Sequence, residues 1–100
     1  MEIKIEEKVL KYLKKLQKGD FKSAIKIQSF IYNNLLNAKN PTMLPNCKDV
    51  ENAKDDRWRW RIGQYRIIGV IEKENKIKIL LIIEIDKKAT QHIKKVNNEN

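Results

Sequence analysis

All four arginines of the chain, Arg57, Arg59, Arg61 and Arg66, fall within residues 57–66, whereas its eighteen lysines spread from Lys4 to Lys95. A guanidinium presents a planar fork that grips phosphate through two parallel hydrogen bonds, stays charged and stacks on flat rings; an ammonium is a point charge on a flexible stem. The window reads Arg-Trp-Arg-Trp-Arg-Ile-Gly-Gln-Tyr-Arg, so aromatic and guanidinium groups alternate. This pattern points to phosphate recognition and to nucleic acid.

The rest of the composition bounds that reading. A net charge of +9 over 100 residues favours an anionic partner: nucleic acid, an acidic protein or an anionic membrane surface. Scattered lysines also serve simply to solvate a surface, so the arginines carry the argument. Cys47 is the only cysteine and His92 the only histidine, which excludes an intrachain disulfide and argues against a zinc site. No metal and no cofactor are expected. The opening Met-Glu-Ile-Lys-Ile-Glu-Glu lacks the apolar core of a signal peptide, and no apolar run has membrane-spanning length. The chain reads as cytoplasmic and not membrane-bound: one domain over residues 1–96, with a frayed tail at 97–100.

The elements that must position the arginines follow from hydrophobic period. Glu2 to Ile5 alternate as a short strand does. From Glu6 the period turns helical, with Val9, Leu10, Leu13 and Leu16 on one face. Gly19 stops this helix, and Asp20 is a good N-cap for a second, which carries Phe21, Ala24, Ile27, Ile31 and Leu35 inward to about Asn37. The two helices read as an antiparallel hairpin. Between Pro41 and Asp56 the chain reads as an irregular loop. From Arg57 the period becomes two. Tyr65–Glu72 and Lys76–Asp86 read as strands joined at Glu74-Asn75, with Ile77, Ile79, Leu81, Ile83 and Ile85 sharing a face. The last of these is apolar on both faces at its centre, which suits a middle strand.

On a strand, Arg57, Arg59 and Arg61 face one way and Trp58 and Trp60 the other. A two-residue loop at Gly63-Gln64 sets Arg61 opposite Arg66 and Trp60 opposite Ile67. Core packing is the favoured reading of the tryptophans, with base stacking the alternative. The arginines either converge on an anion or form a solvated face paired with Asp55, Asp56 or Glu72. Like charges directly opposite each other repel, so the cluster favours a neutralising partner.

The order and residues together resemble the RelE/ParE toxin superfamily of bacterial toxin–antitoxin systems. Arg61-Ile62-Gly63-Gln64-Tyr65-Arg66-Ile67-Ile68 is similar to that family's Arg-Val-Gly-Asp-Tyr-Arg-Val-Val hairpin. Leu44 to Glu51 stands where the family has a short apolar-basic loop, and Ile82 to Lys88 resembles the last strand running into a His-Arg-Arg segment. The resemblance spans about residues 2–95. It implies an α+β fold: a short N-terminal strand, a helical hairpin packed on a three-stranded antiparallel meander, and a short C-terminal helical segment.

RelE-like members cut mRNA in the ribosomal A site without a metal, the 2′-hydroxyl attacking the scissile phosphate. That reaction needs a base, cations for the phosphorane charge and an acid for the leaving oxygen. The resemblance implies catalytic roles for Arg66, Arg59, Lys88 and His92, and RNA-binding roles for Arg57, Arg61, Lys87, Lys94 and Lys95. The closing tyrosine common in the family is missing. His92 is the nearest equivalent, with an exposed residue on a terminal helix as the alternative. The implied partners are an acidic antitoxin, the ribosome and the mRNA in its A site. Two other readings stand beside this one: a ParE-like toxin that inhibits gyrase without cutting RNA, and a degenerate RNA-binding module.

Overall fold

The computed structural model describes residues 1–87. The expected helical segment with Lys88, His92, Lys94 and Lys95, and the expected frayed tail, lie outside the described residues. The fold is α+β, with two helices packed on one face of a mixed sheet. In chain order the elements are β1 (Glu2–Ile5), α1 (Glu7–Gly19), α2 (Phe21–Ser29) continued by π-helical turns over Phe30–Leu35, a 3₁₀ turn (Pro41–Met43), β2 (Cys47–Asp49), β3 (Arg57–Ile62), β4 (Tyr65–Glu74) and β5 (Ile77–Lys87).

The helical hairpin forms where the periodicity places it. Asp20 caps α2, accepting from the Ser23 amide at 3.2 Å and the Ser23 hydroxyl at 2.7 Å. Val9 and Leu13 of α1 and Ala24 and Ile27 of α2 are buried. Leu10 and Phe21, expected inward, are exposed: each lies at the edge of its apolar stripe. The second helix changes to i→i+5 bonding before its expected end, the Leu36 amide donating to the Ile31 carbonyl at 3.0 Å, and Ile31 and Leu35 both stay buried.

The sheet has five strands among the described residues, in the order β1-β5-β4-β3-β2, where three were expected from Arg57 onward. β1 pairs parallel with β5, so β5 is the middle strand that its two apolar faces implied. The additional strand is β2. Its three residues pair antiparallel with β3, Cys47 with Trp60 and Lys48 with Arg59, inside the stretch read as an irregular loop.

The β3–β4 hairpin has the expected register, Ile62 opposite Tyr65, Arg61 opposite Arg66 and Trp60 opposite Ile67. Gly63 adopts φ +60 at the first position of the two-residue loop, which is what a right-twisted hairpin asks of that residue. The next turn sits one residue later than expected. Asn75 and Lys76 carry it, both at positive φ, and Glu74 remains in β4.

The face assignment of β5 is also corrected. Ile68 pairs with Glu84 and Gly69 with Ile82, so Ile83 is a bulge. One extra residue inverts the alternation. Leu80 and Ile82 face the helices before the bulge and Ile85 after it, replacing the single set from Ile77 to Ile85. The bulge lies beside Gly69, where a Cβ would come 2.7 Å from Leu80 Cδ1, 3.2 Å from the Leu81 carbonyl and 3.3 Å from Trp60 Cζ3. A side chain here would displace Leu80 and crowd the indole of Trp60, so glycine suits the close packing at this point.

Trp60 is the centre of the core. It is fully buried, and its indole N–H donates to the Pro41 carbonyl at 3.0 Å, which satisfies the ring's one polar group and ties the 3₁₀ turn to the sheet. Trp58 is half-buried against the same core and donates to Asp56 at 2.6 Å. Core packing therefore holds for both tryptophans.

Candidate nucleic-acid interface

Arg57, Arg59, Arg61 and Arg66 project from the sheet face that carries no helix. Directly paired residues share a face, so the register defines two rows across the strands. The first row is Arg61, Arg66 and Asp86; the second is Lys48, Arg59, Ile68 and Glu84. Cations occupy β2, β3 and the start of β4, and carboxylates occupy β5. The Arg61 amide donates to the Asn46 carbonyl at 3.0 Å, and the Asn46 side-chain amide donates to the Arg61 carbonyl at 2.9 Å. The backbone of Arg61 thus turns toward β2, and its pair with Arg66 is of the closer, non-hydrogen-bonded kind.

The four arginines separate into two pairs by their partners. Arg57 binds Asp55 with both ends of its fork, Nε to Oδ1 at 3.2 Å and Nη2 to Oδ2 at 3.0 Å, as the ion-pair alternative anticipated. Arg66 binds Asp86 in the same way, at 3.0 and 2.9 Å. The hydrogen bonds to these carboxylates raise both arginine pKa values above the ordinary range, with Glu84 adding to each. Asp56 bonds Trp58 instead of an arginine. Arg59 and Arg61 have no carboxylate within ion-pairing distance among the described residues.

Those two arginines and Lys48 line a recess of about 390 Å³ with Pro45, Asn46 and Gly63. A second recess of about 350 Å³ continues past Lys48 and Arg59 to Asp49, Val50 and Glu51. The two recesses share Lys48 and Arg59 as lining residues. Exposed or half-buried cations facing an open recess offer charge-assisted hydrogen bonds to phosphate oxygens.

Of the expected site residues, Arg59, Arg61 and Arg66 come together and Arg57 lies one row beyond. Lys87 does not join them. It pairs with Tyr65, on the helix side of the sheet, and its ammonium lies 6.0 Å from the Tyr65 ring centroid. Lys88, His92, Lys94 and Lys95 are outside the described residues. Sequence reasoning missed Lys48 and Asn46, because they closely follow the helix-breaking Pro45 and only three residues of the segment pair. It also missed Asp86 as a partner, which sits twenty residues from Arg66. The alternation Cys47-Lys48-Asp49 was the one available signal for β2.

Other polar groups nearby are held in inert states. The Tyr65 hydroxyl donates to Asp20 Oδ2 at 3.4 Å, and burial together with that carboxylate raises its pKa. Tyr65 is therefore a proton donor within the fold, not a base near neutrality. Burial, and to a lesser extent Asp49, pushes the Cys47 thiol up to about 11, so it stays protonated and unreactive.

No family model matches this sequence, and no curated protein sequence matches it. Solved structures do. The YoeB/ParE toxin from Agrobacterium tumefaciens superposes with a TM-score of 0.66 at 14% identity, over 89% of this chain and 100% of that one. The archaeal RelE-RelB complex from Pyrococcus horikoshii OT3 superposes with a TM-score of 0.56 at 22% identity, over 89% of this chain and 96% of that one. With helices on one face of the sheet and the arginines of the β3–β4 hairpin on the other, the chain shares the RelE/ParE-type fold of these two structures.

Proposed function

We propose that this protein is the toxin of a toxin–antitoxin pair and that it cleaves mRNA in the ribosomal A site without a metal. The observation that carries this reading is the unpaired set of Lys48, Arg59 and Arg61 around an open recess, on a fold shared with toxins of this kind. In the proposed reaction the 2′-hydroxyl beside the scissile bond loses its proton and attacks phosphorus. The bond to the 5′-oxygen breaks, and that oxygen takes up a proton. Arg59 and Arg61 bind the phosphate oxygens and stabilise the charge of the phosphorane, with Arg66 approaching from the neighbouring strand. His92 is the candidate base and Lys88 a further cation, with Lys94 and Lys95 extending the RNA path. An acidic antitoxin would neutralise the same surface, in keeping with the net charge of +9.

One observation favours a second reading. Arg66, the arginine implied to touch the reacting phosphate, has its fork filled by Asp86. A ParE-like toxin that inhibits gyrase by binding has no need to converge cations on one phosphate. Mapping mRNA 5′ ends after induced expression separates the two. The nuclease reading expects discrete cuts within translated codons that disappear when ribosomes are stalled off the message. Growth arrest with a DNA-damage response and intact mRNA would replace it with the gyrase reading.

A further inference from the structure

Arg66 and Asp86 face each other across β4 and β5 as a bidentate pair, with side chains 29% and 30% exposed. Arg66 is thus within reach of a solvent anion, yet the Nε–Nη2 edge of its guanidinium is already used by Asp86. The arrangement has a local cause. Arg61 and Arg66 sit side by side, and Asp86 cancels one of two adjacent positive charges. Arg61 itself is left open on the recess with Arg59 and Lys48.

From this geometry we infer that Asp86 is an internal anion that masks Arg66 in the free protein and is displaced by an RNA phosphate. The inference rests on the RNA-binding part of the proposed function and adds a specificity-determining residue to it. A partly exposed ion pair is worth about fivefold in an equilibrium at most, so an incoming phosphodiester can open it. That incoming group must hold on elsewhere at the same time, because an isolated phosphate gains only what Asp86 already supplies. A strand that engages Lys48, Arg59 and Arg61 through neighbouring phosphates meets the condition. Asp86 thereby makes the Nε–Nη2 edge of Arg66 available to a polyanionic strand and withholds that edge from mononucleotides and inorganic phosphate.

The test is equilibrium binding of a short fluorescent 2′-O-methyl RNA, which lacks the attacking hydroxyl and stays intact. Asp86→Asn frees the guanidinium without changing side-chain size. The variant is expected to bind the RNA at least about threefold tighter than the wild type. Its log–log salt dependence should keep the wild-type slope, because Arg66 meets a phosphate in both complexes, and a slope steeper by about 0.7 would mean that RNA leaves the wild-type pair closed and overturns displacement. Adding Arg66→Ala should cancel the gain in affinity. A folded Asp86→Asn protein with equal or weaker affinity overturns the inference while leaving RNA binding by the wild type standing. Failure of the wild type to bind RNA overturns the underlying reading and the inference with it. Should Asp86→Asn fail to fold, the single variants decide: masking requires Arg66→Ala to cost less RNA affinity than Arg59→Ala or Arg61→Ala, and an equal or larger cost refutes it.

Discussion

Along β3, Trp58 and Trp60 face the helices while Arg57, Arg59 and Arg61 face away, and the two sets are satisfied to different degrees. The inner side is closed. Trp60 is fully buried, its one N–H is bonded to Pro41, and Gly69 leaves the space its ring occupies. On the outer side Asp55 closes Arg57, but Arg59 and Arg61 border open recesses with no carboxylate partner among the described residues. A strand of six residues therefore divides its work. Its even positions hold the fold, and two of its odd positions are left with unused hydrogen-bonding capacity. Surface charges contribute little to stability, so the proposed function gives the outer arginines a binding role.

That division predicts unequal consequences for substitutions one residue apart. Trp60→Ala removes the largest fully buried side chain and should cost about 3–5 kcal/mol in urea denaturation, a large share of the stability of a domain this size. A cost under about 1 kcal/mol would mean that the inner face is not organised around this ring.

Asp20 offers a smaller and pH-dependent test of how the helices are held to the sheet. Its hydrogen bonds to the Ser23 hydroxyl and amide, and then to Tyr65, hold its pKa below the ordinary aspartate value. A lowered folded-state pKa contributes stability that is complete above about pH 4 and is lost as pH falls through the folded value. Asp20→Ala should therefore lower Tm by roughly 4–8 °C near neutrality, and its deficit against the wild type should shrink in acid. A deficit that is constant from pH 7 to strongly acidic conditions would exclude the carboxylate as its origin.

The parts of this molecule legible in sequence were those set by local chemistry. Gly63 fixed the loop length of the β3–β4 hairpin, and loop length fixes register, so the opposition of Arg61 to Arg66 followed. Asp20 announced the helix start in the same local way. What escaped depends on contacts distant in sequence. The bulge at Ile83 accommodates Gly69 and Trp60, from two other strands, and nothing in the alternation of Ile77 to Ile85 records it. β2 exists because β3 offers an edge to Cys47, Lys48 and Asp49, and three residues are too few to show a period. The arginine cluster itself was legible. The local pairing of Arg57 with Asp55 stood among the sequence readings, but the pairing of Arg66 did not, because it depends on Asp86 across the sheet.

The account stands most directly on the separation of the two faces, and induced expression of the Arg59→Ala/Arg61→Ala double variant tests it. Growth arrest should be lost, while the purified protein unfolds within about 0.5 kcal/mol of the wild type. Arrest retained at full strength by the folded variant would contradict the account.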